Sequence, residues 1–392
     1  MRFRVAAELP RGTGLLAATR GAATPAGAST PAGASTPAGA STPAGASTPA
    51  GPSATVDIRA TSVWALMPEV RIDPLTGLRA IVATDRAGRP GEEMTVAPAP
   101  PVDVAQDPFA PGHEDRTKPE LTAVRPDGSA PDTPGWQVRV VPNLYPAITP
   151  DSVEPEPMAD RDLFWAGAAR GAHEVIVNAP DATGSLAALS VEQAVAAVEV
   201  WRERMRAHAE APCVHLSVNE RRESGASIQH THAQLYALPF VPAAIARERE
   251  RFGAYATRTD GANLLGDLLQ HEVRLRERIV AIDDEAVLMA PYGSRVPYQL
   301  MIVPRVVRAR FEDPGPTGAA LLHGALGRLV RAFGASPPLN LWVRTAPQGA
   351  EHFCWRIDIW PRLAYLAGLE LGTGIGLNSV SPERAAAALR EA

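Results

Sequence analysis

The sequence predicts an α+β protein with two αβ halves, a mostly antiparallel sheet, flanking helices and a disordered N-terminal tail. Short β-rich runs alternate with a few helical patterns, and this series occurs twice, on either side of residue 260. Residues 22–54 repeat small and polar residues instead. The 392 residues, 45% of them hydrophobic, suffice for one large or two moderate domains after such a tail.

The tail contains four identical copies of A-S-T-P-A-G between Ala28 and Gly51. Proline and glycine every six residues prevent helix and strand continuity, and the other residues offer little apolar surface to bury. A six-residue unit without a large apolar side chain also cannot build the core of a solenoid. We therefore predict that residues 1–57 are disordered and have no role in the chemistry.

The first half, residues 58–260, contains β-rich runs and two helical patterns. One helix is predicted to begin after Ser190, because Ser190 and Gln193 fit a capping box and apolar residues follow at helical spacing. A second, charged helix is predicted from Ala243 to Tyr255. The predicted strands are Ala80 to Thr84, Gln137 to Val141, Glu174 to Asn178, Val214 to Val218 and His230 to Ala237.

The second half, residues 261–392, repeats this organisation. One helix is predicted from Thr317 to Phe333, and another begins after Ser381, with Ser381 as N-cap and Pro382 in the first helical position. The predicted strands are Arg278 to Asp283, Ala286 to Met289, Gln299 to Val303, Leu339 to Arg344 and Phe353 to Trp360.

Composition excludes several classes of protein. A formal charge of −5 argues against nucleic-acid binding, and Lys118 is the only lysine, so a P-loop or Schiff-base lysine has essentially no candidate. Cys213 and Cys354, both in apolar surroundings, argue against a disulfide framework and fit a reducing cytoplasm. No apolar run reaches the roughly 18 residues of a membrane span, and the first residues are too polar for a signal peptide.

The segment from Gly225 to Pro242, G-A-S-I-Q-H-T-H-A-Q-L-Y-A-L-P-F-V-P, carries the chemistry. On a strand, its His230, His232 and Gln234 would share one face, because alternate side chains point the same way. A neutral imidazole is a competent nucleophile toward phosphorus near pH 7, and a glutamine can hydrogen-bond a phosphate oxygen. The small residues at the start of the segment allow backbone N–H groups to approach an anion. A strand with two histidines, one of them in the core, is the structural alternative.

This segment resembles the histidine-triad (HIT) superfamily pattern, in its galactose-1-phosphate uridylyltransferase branch. Other segments resemble further signatures of that branch, in the same order over residues 60–390. They are Arg71 to Pro90, Phe109 to Glu120, Val138 to Pro146, Gly171 to Val177 and Gly368 to Asn378. The resemblance implies two HIT-like halves, the first catalytic, and a homodimer.

By this resemblance, His232 is the nucleophile and forms a covalent nucleotidyl-histidine, with His230 and Gln234 completing the catalytic set. The implied partners are a nucleoside diphosphate sugar and a sugar 1-phosphate, with UMP as the expected nucleotide. For any single arginine, a solvated surface role stays open. The implied substrate-binding residues are Arg86, Arg89, Arg116, Asn143, Asn219, Gly225, Ser227 and Glu370.

Both metal sites that the resemblance implies have incomplete ligand sets. At the zinc site of several relatives, the two cysteines correspond to Asp107 and Ala110 and one ligand to Ala182, which leaves only His230. Two motif histidines could substitute, His113 and His173. At a second metal site, Glu248 would face three histidines, but these positions are Val307, Arg356 and Asp358. We expect a fold without a metal or other cofactor, with His230 as a hydrogen-bonding partner beside the nucleophile.

The sugar-binding positions also differ, since Ala364, Leu369 and Gly376 replace hexose contacts and only Glu370 remains. Two alternatives therefore stay open. One is a phosphorylase or hydrolase of the same superfamily that acts on ADP-glucose or a dinucleoside polyphosphate. The other is a non-catalytic nucleotide-binding protein.

Overall fold

The computed structural model describes residues 67–88, 94–156, 160 and 163–392. The repeat tail and Arg89 lie outside these residues. Within them, no helix combines the length and the apolar character that a membrane crossing needs.

The described residues form six helices and thirteen strands, alongside several short 3-10 turns. The helices are α1 (Val191–Ala207), α2 (Ala243–Arg258), α3 (Leu264–Leu275), α4 (Ala319–Phe333), α5 (Gly368–Thr373) and α6 (Pro382–Glu391). The strands are β1 (Glu69–Ile72), β2 (Arg79–Val82), β3 (Thr122–Val124), β4 (Val138–Pro142), β5 (Ala172–Val177), β6 (Cys213–Glu220), β7 (His232–Leu238), β8 (Ile279–Ile282), β9 (Ala286–Met289), β10 (Leu300–Pro304), β11 (Leu339–Arg344), β12 (Arg356–Pro361) and β13 (Gly376–Asn378).

Ten strands form one continuous sheet in the order β3-β4-β5-β7-β6-β11-β12-β10-β9-β8. Every neighbouring pair in it is antiparallel, which confirms the predicted α+β class. Residues 122–238 supply the first five strands in this order and residues 279–361 the other five, and the two groups meet where β6 pairs with β11. The proposed boundary near residue 260 falls in the turn between α2 and α3.

Helices cover the two faces of the sheet unequally. One face packs against α1, α4 and α6 along its whole length and forms the largest core, which includes Trp201 of α1 and Leu329 of α4. A smaller core lies under α2 and α3, where Phe252 and Leu265 pack on Met289 and Met301 of β9 and β10. On the opposite face, Val175 and Val177 of β5 pack against Phe109 and Trp136, whereas β6 and β7 present polar side chains.

Capping residues set the helix starts that the sequence predicts. The Ser190 and Ser381 side chains accept hydrogen bonds from the backbone N–H groups of Gln193 and Arg384, as expected for N-caps. The Gln193 side chain does not complete the capping box, because it donates to the carbonyl of Asn178 instead. Five elements were not predicted: β1, β3, β13, α3 and α5.

Candidate active site

The second histidine of the H-T-H motif begins β7 and is buried. His232 Nδ1 lies 2.7 Å from the backbone carbonyl oxygen of His230, so Nδ1 carries the proton and donates it there. The lone pair is therefore on Nε2. Burial lowers the pKa of His232 and outweighs the opposing effect of this hydrogen bond, so the ring is neutral at pH 7. The ring of Phe109 stands edge-on at 5.3 Å between centroids.

The first histidine lies outside β7, so the strand alternation that was expected to place it beside His232 and Gln234 does not extend to it. The strand begins only at His232, because Thr231 donates its N–H to Thr183 rather than to a neighbouring strand. The His230 ring is wholly buried, with Nδ1 2.6 Å from Asp107 Oδ2 and Nε2 2.8 Å from the carbonyl oxygen of Ala179. Both ring nitrogens of His230 are therefore within hydrogen-bond distance of an oxygen atom.

Two donors fix the amide of Gln234. Its Oε1 accepts from the Tyr236 hydroxyl at 2.9 Å and lies 3.1 Å from Nε2 of His173. His173 Nδ1 accepts the N–H of Ala147, so Nε2 carries the proton and donates to Gln234. The NH2 group of Gln234 is left to donate to a ligand on the open face. The Asn143 amide nitrogen is 3.1 Å from His173 Nε2, so Asn143 belongs to this cluster.

The polar face continues across the middle of the sheet. Gln234 stands directly opposite Ser217, Ser217 opposite Trp342, and Trp342 opposite Asp358. Directly paired residues of antiparallel strands project to the same side. Polar residues of both predicted halves therefore lie on one face.

Asn219, Gly225 and Ser227 occupy the end of β6 and the segment that leads to β7. Asn219 Oδ1 accepts a 2.7 Å hydrogen bond from the amide of Asn340 on β11. Gly225 has a φ of +94°, a left-handed conformation that favours glycine, and Ser227 is exposed.

Two more of the predicted substrate-binding residues share a groove of about 520 Å³ near α5, Arg86 and Glu370. The described lining of this groove does not include His232. Arg116 is exposed and donates to the carbonyl of Ala105. The structure thus brings His232, Gln234 and Asn143 close together and holds Arg86 and Glu370 in a separate depression.

The model of the family "Galactose-1-phosphate uridyl transferase, N-terminal domain" matches residues 60–242. The chain belongs to the galactose-1-phosphate uridylyltransferase-like family. A second model, "Domain of unknown function (DUF4921)", matches residues 174–391, so the chain belongs to that family too.

Curated relatives agree with membership of the uridylyltransferase-like family. An ADP-glucose phosphorylase of Arabidopsis thaliana is 27% identical over 340 residues, which cover 83% of this chain and 93% of the relative. A galactose-1-phosphate uridylyltransferase of Cryptococcus neoformans is 26% identical over 357 residues, 82% of this chain and 89% of the relative. The crystal structure of an Arabidopsis ADP-glucose phosphorylase with bound ADP-glucose has a TM-score of 0.69 at 25% identity, over 83% of this chain and 99% of that one. The chain is a uridylyltransferase-like enzyme.

The zinc site known from this family does not fit the residues here. Both ring nitrogens of His230, the one remaining ligand position, are already engaged by Asp107 and by the carbonyl of Ala179. His113 donates from Nδ1 to the backbone carbonyl of Asp107, and His173 is bound to Ala147 and Gln234. Within the described parts of the chain, no group of three or more His, Cys, Asp or Glu residues is arranged to hold a metal ion.

The second metal position of the uridylyltransferase-like family does not fit either. The buried Arg356 guanidinium lies between two carboxylates, with Nε 3.0 Å from Asp358 Oδ2 and Nη2 3.0 Å from Glu248 Oε2. Although burial opposes a charge, both carboxylates hold the pKa of Arg356 above its ordinary value. A fixed cation thus stands where a metal ligand is needed.

Sequence reasoning missed the roles of three residues in this site. Tyr236 continues the alternation that contains His232 and Gln234, so strand periodicity was a usable signal. Asp107 and His173 reach their partners from 123 and 61 residues away, and no local pattern predicts such contacts.

Proposed function

We propose that this enzyme transfers UMP between a nucleoside diphosphate sugar and a sugar 1-phosphate through a covalent nucleotidyl-histidine at His232. The observation that carries the proposal is the hydrogen bond from His232 Nδ1 to the carbonyl of His230, which directs the free lone pair to Nε2. Nε2 attacks the α-phosphorus, the bond from that phosphorus to the bridging oxygen breaks, and the sugar 1-phosphate departs with the electron pair. The phosphate of a second sugar 1-phosphate then attacks the same phosphorus, and the bond to His232 Nε2 breaks.

The catalytic set of the proposal is His232, Gln234 and His230. The NH2 group of Gln234 donates to a phosphoryl oxygen as negative charge develops there. This is supported by the two hydrogen bonds that occupy Oε1 of the same amide. His230 acts through its backbone carbonyl, and its paired side chain fixes that carbonyl in place.

The substrate-binding residues of the proposal lie in three groups. Asn143 is supported by its contact with His173, beside Gln234, and Asn219 by its position on the polar face. Arg86 and Glu370 are supported by their shared groove, to which a sugar phosphate could bind. The other members are Arg89, Arg116, Gly225 and Ser227.

Phosphorolysis of ADP-glucose is the second candidate function. It is favoured by the similarity to the Arabidopsis ADP-glucose phosphorylase over nearly the whole of that protein. The small residues Ala364, Leu369 and Gly376 at hexose-contacting positions also weaken the case for a galactose phosphate acceptor. In this reaction AMP is carried on His232 and inorganic phosphate is the acceptor.

Intact-mass spectrometry of the full chain after incubation with UDP-glucose, UDP-galactose or ADP-glucose tests both candidates. A gain of UMP supports the first function and a gain of AMP the second. His232→Gly should abolish the adduct while it leaves nucleotide binding nearly intact, and His271→Ala, at an exposed histidine, should behave as the wild type. If no activated sugar gives an adduct, a non-catalytic nucleotide-binding protein becomes the better explanation.

The HIT-superfamily assignment, the halves 58–260 and 261–392, a homodimer and a cytoplasmic location belong to the same proposal. The dimer is supported by large aromatic side chains that are almost fully exposed, Tyr145, Trp165 and Tyr365. Light scattering after size-exclusion chromatography tests it, with a mass of one chain as the contrary result.

A further inference from the structure

A second cavity, of about 460 Å³, lies on the polar face of the sheet in the C-terminal half. Strands β11 and β12 form its floor, the first turn of α2 borders it, and its described lining does not include His232. Four arginines and three carboxylates line it, an excess of one positive charge. These are Arg247, Arg295, Arg344, Arg356, Asp73, Glu248 and Asp358.

The walls of this cavity hold an unusual number of unpaired N–H donors. Among the described residues, six buried side-chain nitrogens have no hydrogen-bond partner, and five of them belong to residues that line this one cavity. They are Nε of Arg295, Nε of Arg344, Nη1 of Arg356 and the indole nitrogens of Trp342 and Trp360. A buried donor without an acceptor destabilises the fold, so an acceptor that binds here gains several hydrogen bonds at once.

The carboxylates nearby do not satisfy these donors. Glu248 and Asp358 are engaged by Nη2 and Nε of Arg356, which leaves Nη1 of the same guanidinium without an acceptor. Nε of Arg344 is 3.5 Å from Glu248 but forms no hydrogen bond with it. The acceptor that is missing must come from outside the chain.

The N-terminus of α2 favours an anion at the same place. Ala243 and Ala244 begin this 16-residue helix and line the cavity, no side chain caps the helix, and its first turn has no acidic residue. Free N–H groups and the helix dipole both attract negative charge. Two indole rings, Trp342 and Trp360, stand 5.2 Å apart and add apolar surface beside the donors.

We propose that this cavity binds the phosphate group of a small phosphorylated metabolite, with Arg295, Arg344 and Arg356 and the indole N–H groups of Trp342 and Trp360 as donors. Its volume exceeds that of a lone phosphate and falls within the usual range of small-molecule sites. Guanidinium forks match phosphate oxygens, and the indole rings contact the organic part. The site is separate from the proposed nucleotide site and does not depend on its chemistry.

Calorimetric titration of the full chain with inorganic phosphate and with glycerol 3-phosphate tests the site. The wild type should bind both probes. It should bind glycerol 3-phosphate more tightly than inorganic phosphate, because the indole rings contact the organic part. Arg295→Met should weaken binding roughly tenfold, because a charged fork is lost, and Trp342→Phe by a smaller factor, because one neutral donor is lost. Arg305→Met, at a half-exposed arginine outside the lining, should bind as the wild type.

Two further variants separate this site from the nucleotide site. His232→Gly and Gln234→Ala should retain phosphate binding, whereas a loss in either would assign the heat to the nucleotide site and overturn the proposal. The proposal would also be overturned if the wild type did not bind the probes, or if Arg295→Met and Trp342→Phe both bound them as tightly as the wild type. Water would then satisfy the donors. Circular dichroism checks that each variant folds. If Arg295→Met does not fold, the binding measured with Trp342→Phe tests the proposal.

Discussion

Nδ1 of His230 lies 2.6 Å from Oδ2 of Asp107, and both side chains are buried. Asp107 stands at a position that the resemblance assigns to a zinc-binding cysteine, and in this chain it pairs with His230 instead. The pair holds the side chain of His230, and the backbone carbonyl of His230 accepts the hydrogen bond from His232 Nδ1. This buried pair thus holds the carbonyl that orients His232, the proposed nucleophile.

Removing one member of this pair should destabilise the fold. We expect Asp107→Ala to lower the free energy of unfolding by about 3–5 kcal/mol, because it leaves a buried histidine without its carboxylate. Chemical denaturation measures the loss. Asp103→Ala, at an exposed aspartate in the same segment, should cost about 1 kcal/mol or less, and equal effects of the two variants would contradict the role of the pair.

The lowered pKa of His232 predicts the pH dependence of covalent-adduct formation. The neutral ring is the reactive form, so the rate should be constant from pH 8 to below the ordinary histidine value of 6.5 and should fall only as pH drops through the lowered pKa. Single-turnover measurements with an activated sugar give this profile. A midpoint at or above 6.5 would contradict it, and His271→Ala should leave the curve unchanged.

The amide of Gln234 depends on His173 for its orientation. His173→Phe keeps an aromatic ring on Tyr236 but removes the donor to Oε1, so the amide can rotate away from the phosphate. We expect kcat to fall roughly tenfold with a smaller change in KM, since the interaction strengthens in the transition state.

Two controls separate positioning from packing in this experiment. Tyr236→Phe removes the other donor to the same oxygen, and its effect should be non-additive with that of His173→Phe. His271→Phe changes an exposed histidine and should leave kcat unaltered. A fall in stability without a fall in kcat would limit His173 to packing.

Glu220 predicts a pH effect on stability. Burial raises its pKa to about 7, despite hydrogen bonds from Leu186 and Ser185. The folded state then binds a proton more tightly than the unfolded state, so this group's contribution is complete below its ordinary value of 4.5 and is lost as pH rises through 7. Glu220→Gln should therefore gain on the order of 3 kcal/mol relative to wild type between pH 4.5 and 8.

Denaturation of wild type and Glu220→Gln across this pH range measures that gain. Glu223→Gln, at an exposed glutamate in the next turn, should follow the wild-type curve. Parallel curves for wild type and Glu220→Gln would contradict the raised pKa.

Much of the local structure was predictable from the sequence. The helices beginning at Ser190 and Ser381 have caps whose side chains bond within three residues, and the strand around Gln234 follows from alternation. The helix α3 was missed although Asn263 caps it and leucines follow at helical spacing. The strand predicted from Phe353 begins only at Arg356, where β12 starts. The prediction was too long because apolar composition alone does not show where strand pairing starts.

The amino-acid sequence by itself determined the α+β class and most of the helices and strands, and it predicted His232 and Gln234 as the candidate reactive residues. These properties depend on neighbours a few positions apart. Only the tertiary structure decided that His230 pairs with Asp107, that His173 orients Gln234, and that Arg356 stands between two carboxylates. Each of these arrangements includes a contact between residues more than sixty positions apart, and its geometry exists only once the strands have paired into a single sheet.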